Sequence, residues 1–221
     1  MRRAVFLALA GACLVGSVCG DVIYQYDDGI QDSAAGEGLD WDFYWLNRFG
    51  RQAGGEVITD LYIFFDYEMP TGAAFRAVLW NDSGSNGNPV DARVATFVET
   101  VATGSGSRWV AVDIPDTPVT PYFFVGAYIG SGVSITPAGI NVPGWAPERG
   151  YFGGSDTGSS DLNNLPGNTE AGWYEDFGYE YVNMIGATGI AAQAADVPEP
   201  ASMTLLALGG LALLRRTRRK A

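Results

Sequence analysis

Residues 75–129 run FRAVLW (75–80), NDSGSNGNPVDA (81–92), RVATFVETV (93–101), ATGSGS (102–107), RWVAVDI (108–114), PDTPVTP (115–121) and YFFVGAYI (122–129). Clusters of Gly, Pro, Asn, Asp and Ser, the residues that tight turns require, separate segments rich in β-branched and aromatic residues. Successive side chains on a strand point to opposite faces, so Phe75, Ala77 and Leu79 share one face. Arg93–Val101 and Arg108–Ile114 alternate similarly, and Tyr122–Ile129 is continuously apolar. Strands this short, at this spacing, pair as antiparallel neighbours.

The pattern extends in both directions. Val22–Tyr26 is a short β-branched and aromatic run, and Glu56–Tyr67 is apolar on both faces, as in a core strand. Met69-Pro70-Thr71-Gly72 reads as a turn, and Gly132–Ile135 and Tyr181–Ile185 as shorter strands. Residues 21–190 contain no convincing amphipathic helix and no repeat of 20–50 residues. The expected fold is all-β: an antiparallel β-sandwich of jelly-roll topology over residues 21–185. Residues 186–197, rich in Ala and Gly, read as a tether.

Composition narrows the chemistry. Of 221 residues, 47% are hydrophobic and 17% charged, which is enough apolar material for a core without staples. Residues 21–197 hold six arginines against 24 acidic side chains, a net charge of −18. Such a surface repels phosphate backbones, so no nucleic-acid partner is expected. It favours divalent cations, basic partners or a salty medium. Histidine is absent, and the two cysteines, Cys13 and Cys19, lie near the N-terminus. Ser-His-Asp and Cys-His catalysis and His-ligated zinc are therefore excluded.

Both ends carry targeting features. Arg2 and Arg3 precede an apolar run, Ala4–Val18, and Val18 and Gly20 are small residues at the positions a signal peptidase reads. Residues 1–20 are expected to be a signal peptide cleaved before Asp21; lipidation at Cys13 or Cys19 fits the sequence less well. The C-terminal segment, 198–221, begins Pro198-Glu199-Pro200, continues as an apolar run to Leu214 and ends in Arg215-Arg216-Thr217-Arg218-Arg219-Lys220. As a helix the run from Ala201 would span roughly 21 Å, short for a permanent span of a bilayer core of about 30 Å. The basic cluster is expected to stay cytoplasmic and the domain outside, the orientation that the N-terminal signal also gives.

This order of features resembles the PEP-CTERM sorting signal. The resemblance implies recognition of Pro198, Glu199 and Pro200 by an exosortase, a membrane-embedded processing enzyme. It implies sorting to the cell surface or into an exopolysaccharide matrix, with membrane contact through the C-terminal segment before processing. Tyr26-Asp27-Asp28-Gly29 followed by Trp45-Leu46-Asn47-Arg48-Phe49 resembles the start of a sandwich module in other exported bacterial proteins, and implies no activity.

Two kinds of residue could bind a ligand. Asp27, Asp28, Asp32, Asp40 and Asp42, with Glu37 among them, form an oxygen-rich stretch that could hold Ca²⁺. A solvated loop is the alternative. Trp41 and Trp45, and Trp173 and Tyr174 beside Glu175 and Asp176, could stack on sugar rings while carboxylates accept hydroxyl hydrogen bonds. Ordinary core packing is the alternative there. No other cofactor is expected. The sequence points to a non-enzymatic structural or adhesive surface protein associated with extracellular polysaccharide. A carbohydrate-binding module, calcium-dependent or not, comes second, and a carboxylate-based glycan hydrolase third.

Overall fold

The computed structural model describes residues 21–134 and 136–192, which form two antiparallel sheets with the core between them. In the first sheet β1 (Val22–Gln25) pairs with β13 (Ile185–Ile190), and β13 with β4 (Val57–Phe65). The other edge of β4 takes β7 (Arg108–Pro118). Where β4 ends, Phe65 pairs with Ala138 of β9 (Ala138–Asn141), and β9 carries β2 (Ser33–Ala35) and β12 (Val182–Asn183). The second sheet runs β11 (Glu170–Trp173), β10 (Gly150–Ser155), β3 (Asp42–Gly50), β8 (Tyr122–Ile129), β5 (Ala74–Asp82), β6 (Ala92–Val101).

Alternation decides which side chains enter the core. Leu61, Ile63 and Phe65 on β4 face Phe75, Ala77 and Leu79 on β5, with Val110, Val112 and Ile114 of β7 filling the flank. Trp45 lies among them with Phe43 stacked on it at 5.4 Å and Phe65 edge-on at 5.9 Å.

The outer face of the second sheet is also covered. A strap around residues 156–169 crosses it. The Trp80 indole donates to the Leu162 carbonyl (2.8 Å), the Tyr44 hydroxyl to the Leu165 carbonyl (2.7 Å), and the Val94 amide to Asn163 Oδ1 (3.0 Å). Beneath it Tyr44, Leu46, Val78, Trp80, Phe124 and Leu165 form a second apolar cluster. This explains why β3 and β8 show no alternation: they are buried on both faces.

Asp42, at the start of β3, ties the strap down. Its carboxylate accepts from the Ser155 amide (2.7 Å), the Ser160 amide (2.6 Å), the Ser160 hydroxyl (2.7 Å) and the Tyr128 hydroxyl (3.1 Å), and it is fully buried. Two asparagines join the sheets. Asn47 of β3 donates to the Asn183 carbonyl on β12 (2.6 Å), and the Asn183 side chain donates back to the Leu46 carbonyl (2.8 Å). With both partners buried and bonded, the bridge fixes the register of one sheet on the other.

Two sequence expectations are corrected. Residues 186–190, read as part of the tether, belong to β13, a strand paired on both edges. Its small residues serve close approach: a Cβ on Gly186 would sit 2.9 Å from the Tyr24 carbonyl oxygen, and one on Gly189 3.0 Å from that of Gly55. The strand expected at 132–135 is a turn at Gly132; Ile135 lies outside the described residues, and the local strand is β9. Among the described residues no helix is long and apolar enough to cross a membrane. The signal peptide at 1–20, the rest of the tether and the segment 198–221 with Pro198, Glu199 and Pro200 all lie outside the described residues.

Candidate functional site

At one end of the sandwich β2 and β9 of the first sheet face β10 and β11 of the second across a cleft of about 440 Å³. Its aromatic wall comes from Phe152 on β10, from Tyr174 and Phe177 on the 3-10 turn after β11 (Tyr174–Phe177), and from Tyr179 and Tyr181 beyond it. Gly178, at φ +82°, turns the chain after Phe177 so that both later tyrosines face the same opening. The five rings are contiguous. Phe177 lies 4.9 Å from Phe152, Phe152 is stacked on Tyr174 at 4.8 Å, Tyr174 meets Tyr181 edge-on at 6.0 Å, and Tyr181 is stacked on Tyr179 at 5.6 Å. Phe152 and Tyr174 are buried and Tyr181 partly so, whereas Phe177 and Tyr179 are 39% and 49% exposed. Packed inner rings thus hold two outer rings open to solvent.

The floor is rigid. Tyr174 is buried and donates to Asn183 Oδ1 at 2.8 Å, which connects the cleft to the bridge between the sheets. Burial and the nearby Glu37 push its hydroxyl well above the ordinary tyrosine range, so it stays protonated and donating. A Cβ on Gly172 would lie 2.6 Å from the Phe177 ring, so only glycine on β11 lets that ring lie where it does.

Two carboxylates share the cleft with the rings: Glu37 after β2 on the first-sheet side, and Glu170 on β11, beside the strand that carries Phe152. Burial, and then repulsion from Glu170, raise the Glu37 carboxyl above its usual range. No arginine lines this cleft. The six arginines of the described residues are bonded elsewhere. Arg48 and Arg76 make the two ion pairs among these residues, with Glu148 and Glu99. Arg51, Arg93, Arg108 and Arg149 donate to the carbonyls of Val119, Val90, Thr103 and Gly144. The cleft combines aromatic rings with one carboxylate from each side, and no arginine or lysine lines it.

The residues expected from sequence are scattered. Of the aromatic candidates only Tyr174 lines the cleft, as its floor. Trp45 is enclosed between the sheets and unavailable for stacking, because strand alternation turns it inward. Trp41 is half-buried next to β3. Trp173 packs edge-on against Tyr151 at 5.2 Å with the Arg48 guanidinium over its ring.

The five aspartates do not converge, and among the described residues no group of three or more ligating side chains could hold a metal ion. Asp27 accepts from Gln25 and the Gly29 amide. Asp28 accepts from the Ile30 amide and Asn141, Asp32 from the Val142 amide. Asp40 is exposed, and Asp42 lies beneath the strap. These carboxylates close turns and join segments, and the set does not fit Ca²⁺, which takes six to eight oxygens. Nothing in the local sequence marks Phe177 or Glu170 as part of a site. The one local signal was the spacing of Tyr179 and Tyr181, two apart on an extended segment and so on one face.

The described domain is an all-β structure of two antiparallel sheets, sandwich-like in its packing. The chain carries a recognisable sorting motif as well: residues 196–220 match the family described as the PEP-CTERM protein-sorting motif. That motif implies export, transient membrane anchoring and processing by an exosortase. No curated protein matches the chain. Among solved structures the domain is similar to the clostridial cysteine protease Cwp84 after propeptide cleavage, at a TM-score of 0.54 and 13% identity. The match covers 78% of this chain and 40% of that one, and at this identity it is a likeness of fold alone. A cysteine nucleophile has no counterpart here, since no cysteine occurs after Cys19.

Proposed function

We propose that this chain is a non-enzymatic surface or matrix protein, delivered through its C-terminal motif, that holds extracellular polysaccharide in the aromatic cleft. The observation that carries this reading is the run of five rings, two of them open to solvent, in a cleft shared with Glu37 and Glu170. Ring faces pack against the C–H faces of a pyranose, and carboxylates accept its hydroxyl hydrogen bonds. A site built on so few rings binds a single chain weakly, and many copies arrayed in a matrix convert that into firm adhesion. The strand order supports reading the sandwich as a jelly roll, a fold that includes lectin domains. β1-β13-β4-β7 faces β3-β8-β5-β6, with β10 and β11 extending one edge to build the cleft.

Titrating the purified chain with a panel of soluble polysaccharides tests the reading. Binding should be weakened in Tyr179→Ala and in Phe177→Ala, and be unchanged by a calcium chelator, given the dispersed aspartates. Binding that neither substitution weakens, or no binding to any polysaccharide, overturns it. A hydrolytic reading draws on the raised Glu37 carboxyl beside Glu170. The proposed function expects no release of reducing ends in the same incubations.

A further inference from the structure

The charge of the cleft says more about the ligand than its shape does. A cleft for a neutral sugar needs hydrogen-bond donors and acceptors in rough balance, and one for an acidic sugar needs a cation. The lining supplies hydroxyls from Ser33, Thr136, Tyr179 and Tyr181 but no cation, so it disfavours an acidic sugar, and its charged groups are both acids. Its two ionisable acids are Glu37 and Glu170, from different sheets, and they lie close enough to repel each other. Neither takes part in the ion pairs of the described residues, although unpaired carboxylates in a partly enclosed site cost stability. The aromatic wall has the same preference. Ring faces carry negative charge density and attract cations, most strongly where water is partly excluded. The acids and the rings therefore select the same group, a positive charge held beside a flat apolar surface.

We propose that the cleft recognises polysaccharide bearing free amino groups: hexosamine units in ammonium form, seated between Glu37 and Glu170 with their ring faces on Phe177 and Tyr179. This inference rests on the polysaccharide reading and specifies its substrate class. An ammonium between the two carboxylates relieves their repulsion and makes charge-assisted hydrogen bonds to both. An N-acetylated unit presents a neutral amide at the same place and leaves the repulsion standing. The wide ring wall favours a rigid pyranose over a lysine side chain, whose flexible methylene stem covers little of it. The net charge of −18 over residues 21–197 adds a long-range attraction for a polycation, screened by salt.

The test is calorimetric titration of the full chain with a hexamer of β-1,4-linked glucosamine, its fully N-acetylated counterpart and a lysine oligomer of equal charge, at low and high ionic strength. The glucosamine hexamer should bind about tenfold or more tighter than the acetylated one, the effect of a charge-assisted contact. That preference should vanish in the Glu37→Gln, Glu170→Gln double variant, the two hexamers then binding with equal affinity. Tyr179→Ala should weaken both sugars while leaving the melting curve intact. Equal binding of the two hexamers, a preference that survives the double variant, or lysine oligomer bound as tightly as the glucosamine hexamer would each overturn the inference while leaving the cleft a polysaccharide site. Failure of every sugar to bind would remove the polysaccharide reading, and this inference with it.

Discussion

At the scale of single residues, Asp42 and Glu37 are opposite uses of a carboxylate. Asp42 is enclosed with four donors aimed at it. Removing it leaves buried N–H and O–H groups without an acceptor, each costing about 1–3 kcal/mol. Asp42→Ala should lower stability by at least about 3 kcal/mol in denaturant unfolding. Asp42→Asn should also be costly, because one oxygen becomes an NH₂ group facing donors. Glu37 is half-buried with no such partners, and its proton is held more tightly in the folded state than in the unfolded chain. Ionisation of Glu37 therefore costs folding stability above the raised value, and protonation restores it as pH falls through that value. Glu37→Gln should raise the melting temperature at neutral pH, and the gap from the parent should close on acidification. A constant gap across pH would mean that the site is not strained by charge. Asp42 illustrates the limit of sequence reading: it stood in an acidic stretch that suggested calcium, and its real partners, Ser155 and Ser160, lie more than a hundred residues away.

Among elements, legibility followed burial. The strands covered on one face, β6 and β7, alternate between exposed and buried or half-buried residues and were readable from that period, although β7 runs on to Pro118 through residues expected to form a turn. β4 and β8, apolar on both faces, were readable as continuous runs. β3 was not recognised as a strand, because DFYWLNRFG mixes polar and aromatic residues without a period. Its Asp42 and Asn47 are buried yet bonded to distant segments, and a sequence window cannot anticipate that satisfaction. β13 was mistaken for a tether because glycine signals flexibility when its neighbours are unknown. Here Gly186 and Gly189 admit the close passage of β1 and the Gly55 backbone. Gly186→Val should therefore destabilise the domain, by about 1–3 kcal/mol from overpacking. A tether in this position would have tolerated the change. Trp45→Ala should cost about 3–5 kcal/mol, the usual price of deleting a large enclosed ring. If Trp45 served a ligand instead, binding would suffer and stability would not.

The whole molecule combines a delivery signal with a domain that presents a cleft. The delivery signal was fully legible, because an exosortase reads a contiguous string and so does a reader of the sequence; residues 196–220 match the motif. Changing Pro198, Glu199 and Pro200 to Ala should leave export intact and abolish removal of the tail, seen as a shift in mass and retention in the membrane fraction. Unaltered processing would contradict the exosortase assignment. The cleft was barely legible, since its walls come from five places along the chain and meet only through sheet pairing. Glu37 reaches Glu170 because β2 rides on β9 in one sheet while β11 rides on β10 in the other.

The cleft reading is tested most directly by adding a soluble polysaccharide fragment to the isotopically labelled chain and following backbone amide resonances. The account predicts perturbations concentrated at Glu37, Glu170, Gly172, Phe177, Gly178 and Tyr179, saturating with ligand. Perturbations centred instead on another aromatic surface, around Tyr62 and Trp109 on the outer face of the first sheet, with the cleft unmoved, would contradict it.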